Sequence, residues 1–233
     1  MFESRTLLEF MNTATLSAPP AGAIEDVVDL TGYEALVDLI RREKLDQAPG
    51  DFLEIGCFLG GGTAKLAKAA AGAGKRVWVV DVFDPAFDAT ANLAGERMSD
   101  LYRRMLRGRT QEEIFQQVTA PWAGLIHLFR EDSMKVRLPD NLRFSFAFTD
   151  GNHDPQWVKS DFKMVWQRLN PGGWAGFHDY AGDLPDVTTA LNAMMTEHQP
   201  EIGRVERIKD RWILLVQKRP KQIEGKPRKE GTQ

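Results

Sequence analysis

Short apolar runs alternate with helical stretches along the middle of this chain, and no other feature constrains its architecture as strongly. DFLEIG reads as a strand, GGTAKLAKAAAG as an alanine-rich helix ended by glycine, and RVWVVDVF as a second buried strand. After a long interval IHLFRED forms a third strand; FSFAFTD is a fourth and WAGFHDY a fifth. Between the last two, SDFKMVWQRLNPGG reads as a helix closed by Asn-Pro-Gly-Gly. RVERIKD and RWILLVQKR, parted by little more than Lys209-Asp210, suit an antiparallel hairpin at the sheet edge. The pattern predicts an α/β fold: a doubly wound, mostly parallel seven-stranded sheet with a C-terminal antiparallel hairpin.

The flanks differ from this middle. Residues 1–48 read as an N-terminal helical cap, broken by SAPPAGA and containing TGYEALVDLIRREK, whose Leu36, Val37 and Ile40 keep helical spacing. The sheet domain spans 49–219. Within it, 84–122 is too long for a plain connection and carries helical matter (GERMSDLYRRML, TQEEIFQQV), so it is expected to form a lid-like insertion. Residues 220–233 mix Gly, Pro, Gln and charge with nothing to bury, and read as a disordered tail.

FLEIGCFLGGGTAKLA places Gly56, Gly60, Gly61 and Gly62 where the first strand turns into a helix opened by Thr63. Such a turn needs backbone that tolerates positive φ and close approach. In open parallel sheets the cleft beyond the first strand receives nucleotide-like ligands. A P-loop would end in Gly-Lys-Ser/Thr, and this one ends in Gly-Gly-Thr; a dinucleotide fingerprint would read G-x-G-x-x-G, and this one reads G-x-x-x-G. A tight turn alone remains the plainer explanation of the glycines. Asp81 ends the second strand, where an acid commonly accepts hydrogen bonds from a ribose diol, and Glu131-Asp132-Ser133 ends the third. Glu54, Asp81 and Asp132 thus bring three acids to successive strand ends around one glycine loop.

The E-x-G-x-x-x-G loop, the acid after strand two, the Asp-Ser after strand three and the terminal hairpin resemble class I S-adenosylmethionine-dependent methyltransferases, over about residues 51–219. FTDGNHDPQWVKSDFKMVWQRLNPGGWAGFHDY is similar to a stretch of the macrocin/mycinamicin-type O-methyltransferases and the related cephalosporin-hydroxylase-like proteins. The resemblance implies a Rossmann-like methyltransferase fold and S-adenosylmethionine as cofactor. It implies that Glu54, Gly56, Gly60 and Thr63 border the cofactor's amino-acid end, that Asp81 holds the ribose, that Asp132 and Ser133 border the adenine, and that Asp150 closes the same cleft.

Asp150 and Asp179 end strands four and five, so two carboxylates can converge at the cleft mouth. Hard oxygen ligands there suit Mg²⁺ or another divalent cation. Methyl transfer to oxygen needs a hydroxyl relieved of its proton, and His153, three residues past Asp150, is the expected base. Asp150 is expected in both the catalytic and the metal sets, with His178 and Asp179 completing the latter. Plainer roles stay open: Asp150 as a helix cap, His178 as a buried, hydrogen-bonded histidine. Metal-dependent relatives commonly carry an acid where this chain has His178, and histidine suits Mn²⁺, Fe²⁺ or Zn²⁺ better than Mg²⁺. Phe83, Phe87 and Tyr180 follow strand ends and are candidate walls, whereas Trp157, Trp166 and Trp174 are spaced for packing.

Composition excludes other classes. The net charge of −3 gives no basic field for nucleic acid, and the single cysteine, Cys57, rules out an intrachain disulfide and a cysteine zinc site. No apolar run is long enough for a membrane span, and MFESRTLLEFMN lacks a signal peptide's basic start. The expectations are a cytoplasmic enzyme acting on a small-molecule acceptor, without nucleic acid or membrane partners, and a homo-oligomer if the N-terminal helices join subunits. An NAD-dependent oxidoreductase and a non-catalytic adenosylmethionine-binding protein are the alternatives. The first lacks its G-x-G-x-x-G spacing; the second is disfavoured by intact Asp150, His153 and Asp179.

Overall fold

A computed structural model describes Asp29 and residues 31–221; the expected helical pieces before residue 29 and the tail beyond 221 lie outside the described residues. The strands are β1 (Asp51–Ile55), β2 (Val77–Asp81), β3 (Ile126–Arg130), β4 (Phe144–Thr149), β5 (Leu169–Phe177), β6 (Ile202–Ile208) and β7 (Ile213–Lys218). They form one seven-stranded sheet in the order β3-β2-β1-β4-β5-β7-β6. β1 pairs in parallel with both β2 and β4, and β7 lies antiparallel between β5 and β6. The chain order reverses between β1 and β4, so the loops leaving them diverge and open a crevice at the carboxyl edge.

The helices are α1 (Glu34–Arg42), α2 (Gly61–Ala71), α3 (Met98–Leu106), α4 (Gln111–Thr119), α5 (Pro155–Arg168) and α6 (Pro185–Glu197). Alternate strand residues serve opposite layers, as a pleat covered on both faces requires. Phe52, Phe146, Phe148 and Trp174 pack with Leu36, Leu39 and Ile40 of α1 and Leu66 of α2. Leu53, Ala147, Ala175 and Phe177 pack with Phe162, Val165 and Trp166 of α5 and Leu191 of α6 on the other face. Each large side chain so buried contributes roughly 1.5–3 kcal/mol. Leu36 and Ile40 are wholly inaccessible, so α1 is a full member of this core layer.

Two boundaries differ from the sequence expectation. Asn170 to Gly173 belongs to the start of β5 instead of capping a helix, since α5 ends at Arg168 and the strand begins at once with Leu169. The helix α6 was not foreseen, although Val187, Ala190, Leu191 and Met194 recur at helical spacing and all are buried.

Candidate active site

β1 delivers Glu54 to the face covered by α1 and α2, two residues on from Phe52. Its carboxyl is fully buried and both oxygens are engaged: Tyr33 Oη donates to Oε1 at 2.8 Å and Thr63 Oγ1 donates to Oε2. Burial pushes Glu54 up to about 8, against the pull of the Thr63 and Tyr33 hydroxyls and with further upward pressure from Asp81 and Asp150. Glu54 therefore ties α1, β1 and α2 together beneath the loop, and presents no free oxygen to the crevice.

Two glycines explain the loop's shape. Gly56 has φ +79°, and a Cβ there would lie 2.0 Å from the Asp150 carbonyl oxygen, so the turn leaving β1 is pressed against the turn leaving β4. At Gly62 a Cβ would lie 2.3 Å from the Tyr33 ring, which lies over the first turn of α2. Gly60 is the N-cap of that helix, and Thr63 follows within its first turn. Part of the backbone freedom expected to serve a ligand thus serves the approach of protein neighbours.

Asp81 sits at the end of β2, half-buried. Its Oδ2 accepts from the Cys57 N–H at 2.8 Å; its Oδ1 accepts from the Phe83 N–H at 2.7 Å and from Gln111 Nε2 at 3.1 Å. Burial raises its pKa, and the two backbone donors work against that. Past β3, Asp132 Oδ1 accepts from the Met134 N–H and from Trp157 Nε1 at 3.0 Å. Burial would raise the Asp132 carboxyl, but those donors and Lys135 hold it below its usual range. Ser133 is buried beside it and pulls the pKa of Asp161 down. Phe83 and Phe87, the expected walls, pack edge-on against Phe115 and Trp157 respectively. Tyr180 Oη instead donates to Asn192 on α6.

The second cluster gathers at the ends of β4 and β5. Asp150 Oδ2 accepts from Thr31 Oγ1 at 3.0 Å, and its Oδ1 lies 3.2 Å from His178 Nδ1. The same Nδ1 is 3.0 Å from Asp179 Oδ2. His153 Nε2 approaches that Asp179 oxygen at 2.7 Å, while its Nδ1 meets Asp88 Oδ2 at 2.5 Å. Burial alone would lower both histidines, yet Asp179 and Asp88 carry His153 up to about 10, and Asp150 and Asp179 hold His178 well above its usual range. Burial would raise Asp179, and the two imidazoles pull it far down. Asp179 itself adopts φ +58°, and Phe58 and Phe83 at neighbouring strand ends share that left-handed region. Non-glycine residues held there cost about 1–3 kcal/mol each and gather at functional sites.

The structure thus brings together Asp150, His153, His178 and Asp179, and separately Asp81, Asp132 and Ser133 along the same edge. His153, expected as a base, has a carboxylate oxygen within hydrogen-bond reach of each ring nitrogen, and Asp179 and Asp88 raise its pKa. Sequence reasoning missed Asp88, Thr31, Tyr33 and Gln111, which come from distant segments. For Trp157 it assigned packing, whereas the indole N–H points at Asp132.

Residues 53–180 match a family described as a methyltransferase domain. The chain belongs to this family. No curated protein sequence matches it. Among solved structures, the O-methyltransferase NovP is similar at 18% identity and a TM-score of 0.62, covering 84% of this chain and 82% of its own. The calicheamicin methyltransferase CalS11 covers 90% of each chain at 16% identity and a TM-score of 0.60. TomG from Streptomyces achromogenes, an O-methyltransferase of tomaymycin synthesis solved with SAM, covers 91% of this chain and 96% of its own at 15% identity and a TM-score of 0.55. No helix among the described residues is long and apolar enough to cross a membrane.

Proposed function

We propose that this methyltransferase moves a methyl group from S-adenosylmethionine to a hydroxyl of a small-molecule acceptor. The observation that carries the reading is the division of one crevice into two stations: Asp81 and Asp132 with Trp157 on the β2–β3 side, and Asp150, His178 and Asp179 on the β4–β5 side, with Gly56 between them. NovP and TomG, both O-methyltransferases, share this fold. The bound cofactor supplies an electrophilic methyl on a sulfonium. Asp81 would hold the ribose diol in place of Gln111, Asp132 and Trp157 would border the adenine, and the tight β1–α2 turn would face the amino-acid end.

At the other station the acceptor hydroxyl must lose its proton as its oxygen gains the methyl. Asp150 is the better-placed acceptor of that proton: it is only half-buried, and Thr31 and His178 fix its orientation. His153 would have to surrender a proton held between Asp88 and Asp179 before it could serve. The insertion 84–122 reaches the site through Asp88 and Gln111, and we read it as the lid; adenosylhomocysteine should slow proteolytic cleavage within residues 103–109, and equal rates would remove that role.

A divalent cation fits the arrangement poorly. Asp150, His153 and Asp179 each offer one ligand atom, all within 4.8 Å of one another. Yet ring nitrogens of His153 and His178 already lie within hydrogen-bond reach of the Asp150 and Asp179 oxygens that a hard cation would take. No step is assigned to a metal. Calorimetry tests the main reading: adenosylmethionine and adenosylhomocysteine should bind at one site per chain and NAD should not. NAD binding without response to either sulfur ligand would replace it with the oxidoreductase.

A further inference from the structure

Six side chains from four segments form an unbroken row of polar contacts across the site: Asp88, His153, Asp179, His178, Asp150 and Thr31. The successive separations are 2.5, 2.7, 3.0, 3.2 and 3.0 Å. Three of the six are carboxylates, and carboxylates this close repel one another unless positive groups stand between them. A divalent cation is one solution. Here the atom lying between Asp150 and Asp179 is Nδ1 of His178, within hydrogen-bond reach of an oxygen of each.

Asp88 completes the arrangement. His153 faces a carboxylate oxygen on each side, so hydrogen-bond complementarity requires an N–H at both nitrogens. Neither nitrogen then offers a lone pair to a metal. Asp88 is itself buried, and its other oxygen accepts the Thr90 N–H at 3.0 Å, so it is a fixed acceptor with no freedom to turn away. Both nitrogens of His153 and the Asp179 oxygen between the two histidines are thus already matched within the protein.

We propose that His178 and His153 together take the place of a divalent cation, and that His178 is the positioning residue that holds Asp150 and Asp179 for an acceptor hydroxyl without metal. The inference rests on the methyl-transfer reading only for the identity of that hydroxyl. The residue at 178 is then the switch: an acid there would restore an oxygen pair with no bridging donor, and with it a cation site.

The experiment is a Mn²⁺ titration followed by electron paramagnetic resonance, which needs neither cofactor nor acceptor and so fails or succeeds independently of the proposed reaction. Full-length wild-type protein should retain no Mn²⁺ at this site. His178→Asp should gain one ion per chain, bound at least roughly tenfold more tightly than by wild type, and adding Asp179→Asn should abolish the gain. One Mn²⁺ on wild-type protein, lost on Asp179→Asn, would overturn the proposal. So would a folded His178→Asp variant that binds no better than wild type. If that variant does not fold, Asp88→Asn gives the second route: it frees His153 from its fixed acceptor and should also raise Mn²⁺ binding, and no rise would count against the row.

Discussion

The two stations of the crevice are built by different forces. At the β1–α2 turn that borders the cofactor station the geometry is set by contact: Gly56 lies against the Asp150 carbonyl, and Tyr33 sits over Gly62 where no side chain would fit. On the β4–β5 side it is set by charge, with three carboxylates and two imidazoles satisfying one another in a row. A site held by contact is intolerant of added atoms and indifferent to pH or salt. A site held by buried charge tolerates similar shapes and fails when one charge is removed.

The sharpest way to break this comparison is at Gly56. Gly56→Ala would force a Cβ into the Asp150 carbonyl at a backbone φ that alanine disfavours. We expect a loss of more than about 4 kcal/mol, in the exceptional range for one substitution, read as a collapsed thermal transition with no adenosylhomocysteine binding. Near wild-type melting and binding would mean that the turn is not held by contact.

Asp179→Asn tests the other side. Asparagine accepts the left-handed backbone that Asp179 adopts, so shape is kept while the charge shared by His153 and His178 is removed. Breaking a buried pair costs about 3–5 kcal/mol, and methyl transfer should fall by roughly 100-fold or more, the scale of losing general acid–base function. Adenosylhomocysteine affinity should change little, because Asp81 and Asp132 lie on the other station. Equal loss of binding and turnover would show that the stations are a single unit.

This difference in forces also decides what could be read from sequence. Contact at the first station left a local mark: glycines at a strand-to-helix turn, and acids at the ends of β2 and β3. The mostly parallel seven-stranded sheet and its terminal hairpin followed from hydrophobic patterning, for the same reason. The charge row left no such mark. Asp88 is one acid in a long insertion and Thr31 one hydroxyl before a helix; only the packed chain brings them to His153 and Asp150. The surroundings of His153, expected as a base, were hidden for that reason, since one of its ring nitrogens meets a partner 65 residues away. The helix α6 carries its apolar spacing in the sequence and was still not foreseen.

The smallest effect expected lies beneath the charge row. Asp161, on α5, is buried and lines one small pocket with His153 and His178, and its Oδ1 has no hydrogen-bond partner among the described residues. Burial raises its pKa to about 7, with Ser133 pulling down and Asp132 pushing up. In the unfolded chain the group ionises near 3.8, so between those values the folded protein holds a proton that the unfolded chain has released. Stability must then fall as pH rises through that window, and the full penalty is present above it. Asp161→Asn carries no such proton, so its stability relative to wild type should improve with pH. The pocket has room for a water, which softens the burial; we therefore expect a gain of about 1 kcal/mol between about pH 5 and about pH 8, rather less than one pKa unit is worth. Chemical denaturation of both proteins across that range supplies the measurement. Parallel stability curves would mean that Asp161 is ionised in the folded state at neutral pH, and that the charge row has a fourth carboxylate to compensate.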